Sequence, residues 1–400
     1  MSHLPQLGRR GLLLGLAALA ATRHARLAVA ATPAPGLPAP EARLVVVLLR
    51  GAMDGMTALA PYGDANYAAA RGGIALPEPG QEGGVLDCGG FFGLHPRLAA
   101  LHGFYREGAL LPVHAVAGPY RNRSHFEAQD MLESGAPERL SSGWLNRALA
   151  GLPPPRGTQP DLALALGLDL PLLMRGPRRV GMWAPPRPTR PAPDLYLRMA
   201  DLLHADPEIG PAVADGLRGR GYAEGVLQGP PPGGGFAALA GAAGRLLAAP
   251  DGPRVAALEM TGWDTHADQL RRMLPVLGQL DDGLAALRAA LGDNWRQTAV
   301  LVMTEFGRTA RINGNGGTDH GTGGAAFLAG GAIAGGRVLA DWPGLSEAQL
   351  YEKRDLQPSR DLRALAKGLL RDHLRLPPEA LERAFPGSEG IAPEARLIRA

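Results

Sequence analysis

Four short clusters carry the residue types that hold cations or attack esters. They are Arg50-Gly51-Ala52-Met53-Asp54-Gly55, Arg123-Ser124-His125-Phe126, Trp263-Asp264-Thr265-His266-Ala267-Asp268, and Glu305-Phe306-Gly307-Arg308 followed by Gly317-Thr318-Asp319-His320-Gly321. Asp54, between two glycines, can ligate a hard or borderline cation, or cap a helix after a tight turn. Ser124 opens an apparent helix, where unsatisfied N–H groups favour a bound anion and a hydroxyl nucleophile. The competing role is an N-cap, with Glu127 completing a capping box. Arg123 adds charge suited to a phosphate- or sulfate-like group. Asp264, His266 and Asp268 offer mixed oxygen and nitrogen ligands within five residues, suited to zinc, manganese or a similar ion. The bland alternative is a cap with surface polar residues. Glu305 and the Asp319-His320 pair add three more candidate ligands, the pair lying in a glycine-rich stretch that suggests close approach to a ligand. His95 and His125 are further candidates, His95 with a structural role at a helix start as the alternative. His102, His114, His204 and His373 carry no pattern of their own.

Three of the clusters directly follow an apolar run. Residues 43–49, 110–116, 162–166, 255–260 and 298–303 read as strands buried on both faces, and 327–329 as a shorter one. Helical patterns at 96–108, 267–291 and 362–374 alternate with them, the second carrying Leu270, Leu274, Leu277, Leu284 and Leu287 at helical spacing. Alternating strand and helix predicts an α/β domain. Polar ligands at strand ends are where open α/β sheets place their sites. Pro/Arg/Gly-rich segments within 150–250 predict a loop-rich insertion, its Ala/Gly pieces carrying little chemistry. The domain is expected over 41–385, with a tail at 386–400.

The first thirty residues read as an address. Arg9-Arg10 precede the apolar stretch from Gly11 to Ala21, and Ala28-Val29-Ala30 offers a cleavage site. Paired arginines suggest a twin-arginine signal, hence engagement with that export machinery and a periplasmic or otherwise exported location. An ordinary secretory signal or an uncleaved anchor are the alternatives. Residues 31–40 read as a linker. The signal carries four arginines and no acid, so its removal takes the formal charge from +3 to −1. No basic run suggests nucleic acid, and no stable membrane span is expected after signal removal. Cys88 is alone, so no intramolecular disulfide forms. No Gly-x-Gly-x-x-Gly opens a helix after the first strand, and no Walker-type Gly-Lys-Ser/Thr or Gly-x-Ser-x-Gly elbow occurs.

Six motifs in order resemble the exported bacterial family known as domain of unknown function 1501. They are Leu-Leu-Arg-Gly-Ala-Met-Asp-Gly, Gly-Leu-His-Pro, Arg-Ser-His-Phe, Asp-Thr-His-Ala-Asp-Gln, Thr-Glu-Phe-Gly-Arg and Gly-Thr-Asp-His-Gly, over roughly residues 43–372. The resemblance implies an alkaline phosphatase-like, sulfatase-like three-layer α/β/α sandwich with a mostly parallel central sheet and one or two divalent metals. It implies Asp54, Asp264, His266 or Asp268, Glu305 and His320 as ligands, with Asp319 or His125 available to a remodelled pair. Ser124 takes the nucleophile's place, and Arg123 or Arg308 would stabilise charge on a small-molecule phosphate or sulfate ester. Phe306 stands where the superfamily usually has a histidine ligand. The family has no established activity, so a non-catalytic binding or assembly protein on a degenerate hydrolase scaffold is the alternative.

Overall fold

Each long apolar run forms a strand. The computed structural model describes residues 41–154, 162–185, 198, 201–203, 206, 209–227 and 235–400. The expected signal, linker and His204 lie outside these residues, as does part of the 150–250 insertion.

The strands are β1 (Arg43–Leu49), β2 (Leu59–Ala60), β3 (Leu86–Asp87), β4 (Gly93–Leu94), β5 (Leu110–Ala117), β6 (Ala163–Leu166), β7 (Gly181–Trp183), β8 (Val255–Met260), β9 (Thr298–Thr304), β10 (Gly324–Ala329) and β11 (Arg360–Asp361). Eight make one sheet in the order β11-β5-β10-β9-β1-β8-β6-β7; β2, β4 and β3 make a small second one. All pairings in the large sheet are parallel except those of β10, which runs against both β9 and β5. The fold is α/β with a mostly parallel central sheet, as expected.

β1 shows why its run is unbroken. Val45, Val47 and Leu49 enter one core with the helices Ala99–Arg106, Gly235–Ala248 and Gln269–Leu291. Leu44, Val46 and Leu48 enter another with Trp144–Leu149, Leu362–Asp372 and Pro378–Ala384. A sheet covered on both faces has no polar side to alternate with.

Two expectations change. The Ala/Gly-rich piece near 240 is a tightly packed helix: a Cβ at Gly244 would lie 2.6 Å from the Ala290 Cβ, and one at Gly283 would lie 2.3 Å from the Phe236 ring. Small residues let these two helices approach, a packing role that low complexity concealed. The buried face of Gln269–Leu291 is Met273, Leu277, Leu280, Leu284, Leu287 and Leu291, leaving Leu270 exposed.

Residues 386–400 pack back onto the domain: Leu397 is fully buried, and Lys367 donates to the carbonyls of Ser388 and Ile391. Arg399 donates to Ile333, Glu107 and Gly108 carbonyls near the start of β5. Cys88 is buried, and burial pushes its thiol up to about 12. No helix among the described residues is long and apolar enough to cross a membrane.

Candidate metal centre

All four clusters meet at the carboxyl edge of the sheet. β1 runs into Gly51–Asp54, β8 into Trp263–Asp268 and β9 into Glu305–Arg308, while β5 leads through a turn to the helix His125–Ser134. Because β10 is antiparallel, the loop before it returns to the same edge. Three of its glycines, Gly317, Gly321 and Gly323, serve backbone contact: a Cβ at Gly317 would lie 2.3 Å from the His266 carbonyl carbon. Gly51, at φ +115°, likewise admits the Asp264 backbone nitrogen 2.7 Å from where a Cβ would stand.

Three imidazoles and one carboxylate converge there. His320 Nε2 lies 2.9 Å from Nε2 of both His125 and His266. Asp264 Oδ1 lies 3.1 Å from His266 Nε2, 3.3 Å from His320 Nε2 and 3.7 Å from His125 Nε2. His125, Asp264 and His320 offer ligand atoms all within 4.8 Å of one another. In tetrahedral zinc sites, bonds of about 2.0–2.1 Å set neighbouring ligand atoms about 3.3 Å apart. The separations within this trio bracket that value, and His266 stands beside it, close to His320 and Asp264.

The outer faces of the rings decide where the protons sit. His125 Nδ1 is 2.8 Å from Glu305 Oε1, and His266 Nδ1 is 3.0 Å from Asp319 Oδ1. His320 Nδ1 is 3.0 Å from the Arg123 carbonyl. All three partners are acceptors, which favours a proton on each Nδ1 and leaves each Nε2 the atom to face a cation. An acceptor behind each ligating histidine is the arrangement that metal centres use. Lone pairs this close repel one another unless a proton or a metal cation joins them, and the donor set fits a divalent ion.

Electrostatics follow this geometry. Burial pushes Glu305 up, but hydrogen bonds from His125, Gln129 and Gly51 N outweigh it and hold the carboxyl at about 2. Burial also acts against Asp264, and its bond from Arg308 overcomes that, lowering it. The bond from His266 lowers Asp319. The Glu305 bond raises His125, whereas burial lowers His320. Phe306 packs against both rings, with centroids 4.9 Å from His125 and 5.2 Å from His320. Phe306 therefore forms an apolar wall beside the two histidines.

Several expected site residues stand elsewhere. Asp54 is fully buried; Oδ1 accepts from Met56 N at 3.0 Å and Thr57 N at 3.2 Å, and Oδ2 accepts from Arg71 and Gln269. Four N–H groups occupy its oxygens, so it is a cap and ion-pair partner rather than a ligand. Glu305 and Asp319 touch histidine Nδ1 atoms, outside the ligand set. Asp268 turns to Arg271. His95 Nδ1 accepts from Arg97 N at 3.0 Å.

Arg308 is wholly buried, donating to Ala52 O, Gly51 O and Thr318 O and pairing with Asp264. It anchors a ligand rather than reaching toward a substrate. The Arg123 guanidinium pairs with Glu352 and Asp355. Ser124 precedes the helix as expected, but its side chain makes no capping bond, and Glu127 accepts from the Tyr120 hydroxyl instead of closing a capping box. The Ser124 hydroxyl is within hydrogen-bonding reach of the Tyr120 phenol.

Sequence reasoning placed His125 among the additional candidates, although it stands at the centre. It passed over Gln129, which donates to Glu305 and accepts from Arg50 at 3.0 Å each. Its position one helical turn after His125 was the available signal. Arg71, Gln269 and Asp355 carried none.

Fold and site together define an α/β protein with a cluster of histidines and an aspartate at the strand ends. The chain belongs to the family described as protein of unknown function (DUF1501), whose pattern matches residues 111–385. No curated protein matches it in sequence. Among solved structures it is similar to the C-terminal periplasmic domain of EcEptC from Escherichia coli in complex with Zn, at 9% identity, 72% of each chain and a TM-score of 0.32. It is also similar to a TAB5 alkaline phosphatase mutant with Mg bound, at 9% identity over 75% of this chain and 94% of that one, TM-score 0.33. A 2-O GAG sulfatase shares 11% identity over 89% and 72% of the two chains, TM-score 0.31.

Proposed function

We propose that this protein is an exported, metal-dependent hydrolase acting on small-molecule esters, with phosphate and sulfate esters as the class to test first. The observation that carries the reading is the convergence of the His125, His266 and His320 Nε2 lone pairs on Asp264 Oδ1. Three imidazole nitrogens and one carboxylate oxygen suit zinc and its first-row neighbours better than magnesium or calcium, which prefer all-oxygen shells. A bound cation supplies Lewis acidity toward an ester oxygen. Around it, Glu305, Asp319 and the Arg123 carbonyl hold the three rings in one tautomer, and Arg308 holds Asp264. Ser124 adjoins His125 at the helix start with no capping bond to its hydroxyl, which supports it as the attacking group. Metal analysis of the purified protein, with turnover of an ester panel before and after chelation, tests the reading. A metal-free protein that folds and turns over esters ends it. A Ser124→Ala variant with undiminished turnover removes the nucleophile and leaves the metal site.

A second reading, a non-catalytic binding or assembly protein, draws on one specific observation. Arg123 and Arg308 are both committed to carboxylates, where an anionic ester needs cationic partners. Bound metal without turnover on any ester selects it. Export rests on Arg9-Arg10 and the apolar stretch behind them; lysine at both positions is expected to retain the protein in the cytoplasm.

A further inference from the structure

The segment Leu350–Leu356 holds strain and buried charge that the proposed chemistry does not use. Glu352 and Lys353 are consecutive non-glycine residues in the left-handed region, at φ +50° and +55°. The turn closes on itself through Tyr351 N to Asp355 O at 2.9 Å and Asp355 N to Tyr351 O at 3.0 Å. Strained backbone of this kind persists only where its surroundings over-determine it. Asp355, wholly buried, accepts from Arg123 Nε at 2.8 Å through Oδ2, and the same oxygen lies 2.8 Å from Nη2 in an ion pair. Glu352 also pairs with Arg123, but from an exposed position.

Arg123 is itself left-handed, at φ +62°, and its carbonyl is the acceptor that faces His320 Nδ1. A second path joins the same turn to the same histidine. Thr309 bridges to Asp355 while its neighbour Arg308 bridges to His320, and Thr309 N donates to Asp319 O at 2.9 Å. His320 is thus fastened on two sides by one turn, through its ring and through its backbone.

We propose that Asp355 and Arg123 are positioning residues for the metal centre: their buried pairing locks the Arg123 carbonyl onto His320 Nδ1 and so aims the His320 Nε2 lone pair. This rests on the metal reading for its consequence, but the Arg123 carbonyl faces His320 Nδ1 through the protein's own geometry. Removing an acceptor behind a ligating histidine lowers metal affinity by about 10–100-fold. An exposed ion pair contributes little, so Glu352→Gln is expected to change affinity less than about fivefold.

The test measures zinc affinity by chelator competition, and the ring tautomer by nitrogen-15 NMR of the metal-free full chain. In the wild type, His320 is expected as the single Nδ1–H form. Asp355→Asn and Arg123→Lys, which cannot set Nε and Nη2 together on one buried carboxylate oxygen, are expected to mix the tautomers and weaken zinc binding by about 10–100-fold. Arg123→Gly separates strain from clamping, since it relieves the left-handed backbone yet loses the guanidinium; it is expected to behave like Arg123→Lys. If Asp355→Asn does not fold, Arg123→Lys and Arg123→Gly carry the test. Folded variants with unchanged affinity and one His320 tautomer overturn the proposal while the metal reading stands. A wild type that binds no zinc or related ion sinks the metal reading instead, and mixed tautomers in its variants still support the clamp.

Discussion

Asp54 and Asp264 look alike in sequence, each an aspartate a few residues past a buried strand and close to glycine or histidine. In the folded protein they do opposite work. Asp54 is sealed, with two backbone N–H groups, Arg71 and Gln269 on its oxygens. The Asp264 side chain is 47% exposed, and the Oδ1 that accepts from Arg308 is also the atom that three imidazoles approach. A carboxylate becomes a ligand candidate when its lone pairs are left over. The contrast lies in partners, not in position along the chain.

Truncating both aspartates separates their roles. Asp54→Ala leaves the Arg71 guanidinium buried without its counter-charge and is expected to cost about 3–5 kcal/mol in urea unfolding. Asp264→Ala is expected to cost less in the same measurement, because Arg308 keeps its backbone carbonyls. Equal losses would mean that both aspartates are structural.

Acid should attack the sealed side as well. Burial presses His114 and His95 down to about 4 from 6.5. Between those values the unfolded chain takes up protons that the folded chain refuses. Stability is therefore expected to fall as pH drops from about 6.5 to about 4, by roughly 3 kcal/mol for each histidine. Urea midpoints across that range check it, and His114→Gln should flatten part of the slope.

On the open side the readout is metal affinity. Asp264→Ala is expected to weaken zinc binding beyond the roughly 100-fold that loss of an outer partner causes, and Glu305→Gln by about 10–100-fold. Chelator competition ranks the two. A larger loss for Glu305→Gln would move Glu305 from behind His125 into the ligand set.

The sheet was legible because burial on both faces writes continuous apolar runs, and all six expected strands formed. The edge where the site lies followed from the same runs. Partner choice was less legible. Nothing near Asp54 in sequence announces Arg71 as its counter-ion, since a buried ion pair needs only a folded meeting point and no spacing. His125 was underweighted for a related reason: its importance comes from Glu305, 180 residues away. Gly317 and Gly51 signalled close approach correctly, but the approaching group was the protein's own backbone. The Ala/Gly helix near 240 hid its role because small residues reveal their value only against a facing helix.

The binding of Arg399 beside the start of β5 has a practical consequence. The chain's last residues sit at the amino edge of the sheet, while every candidate ligand sits at the carboxyl edge. A tether, dye or affinity handle fused after Ala400 would therefore hold the molecule by its back and leave the histidine cluster facing the solution.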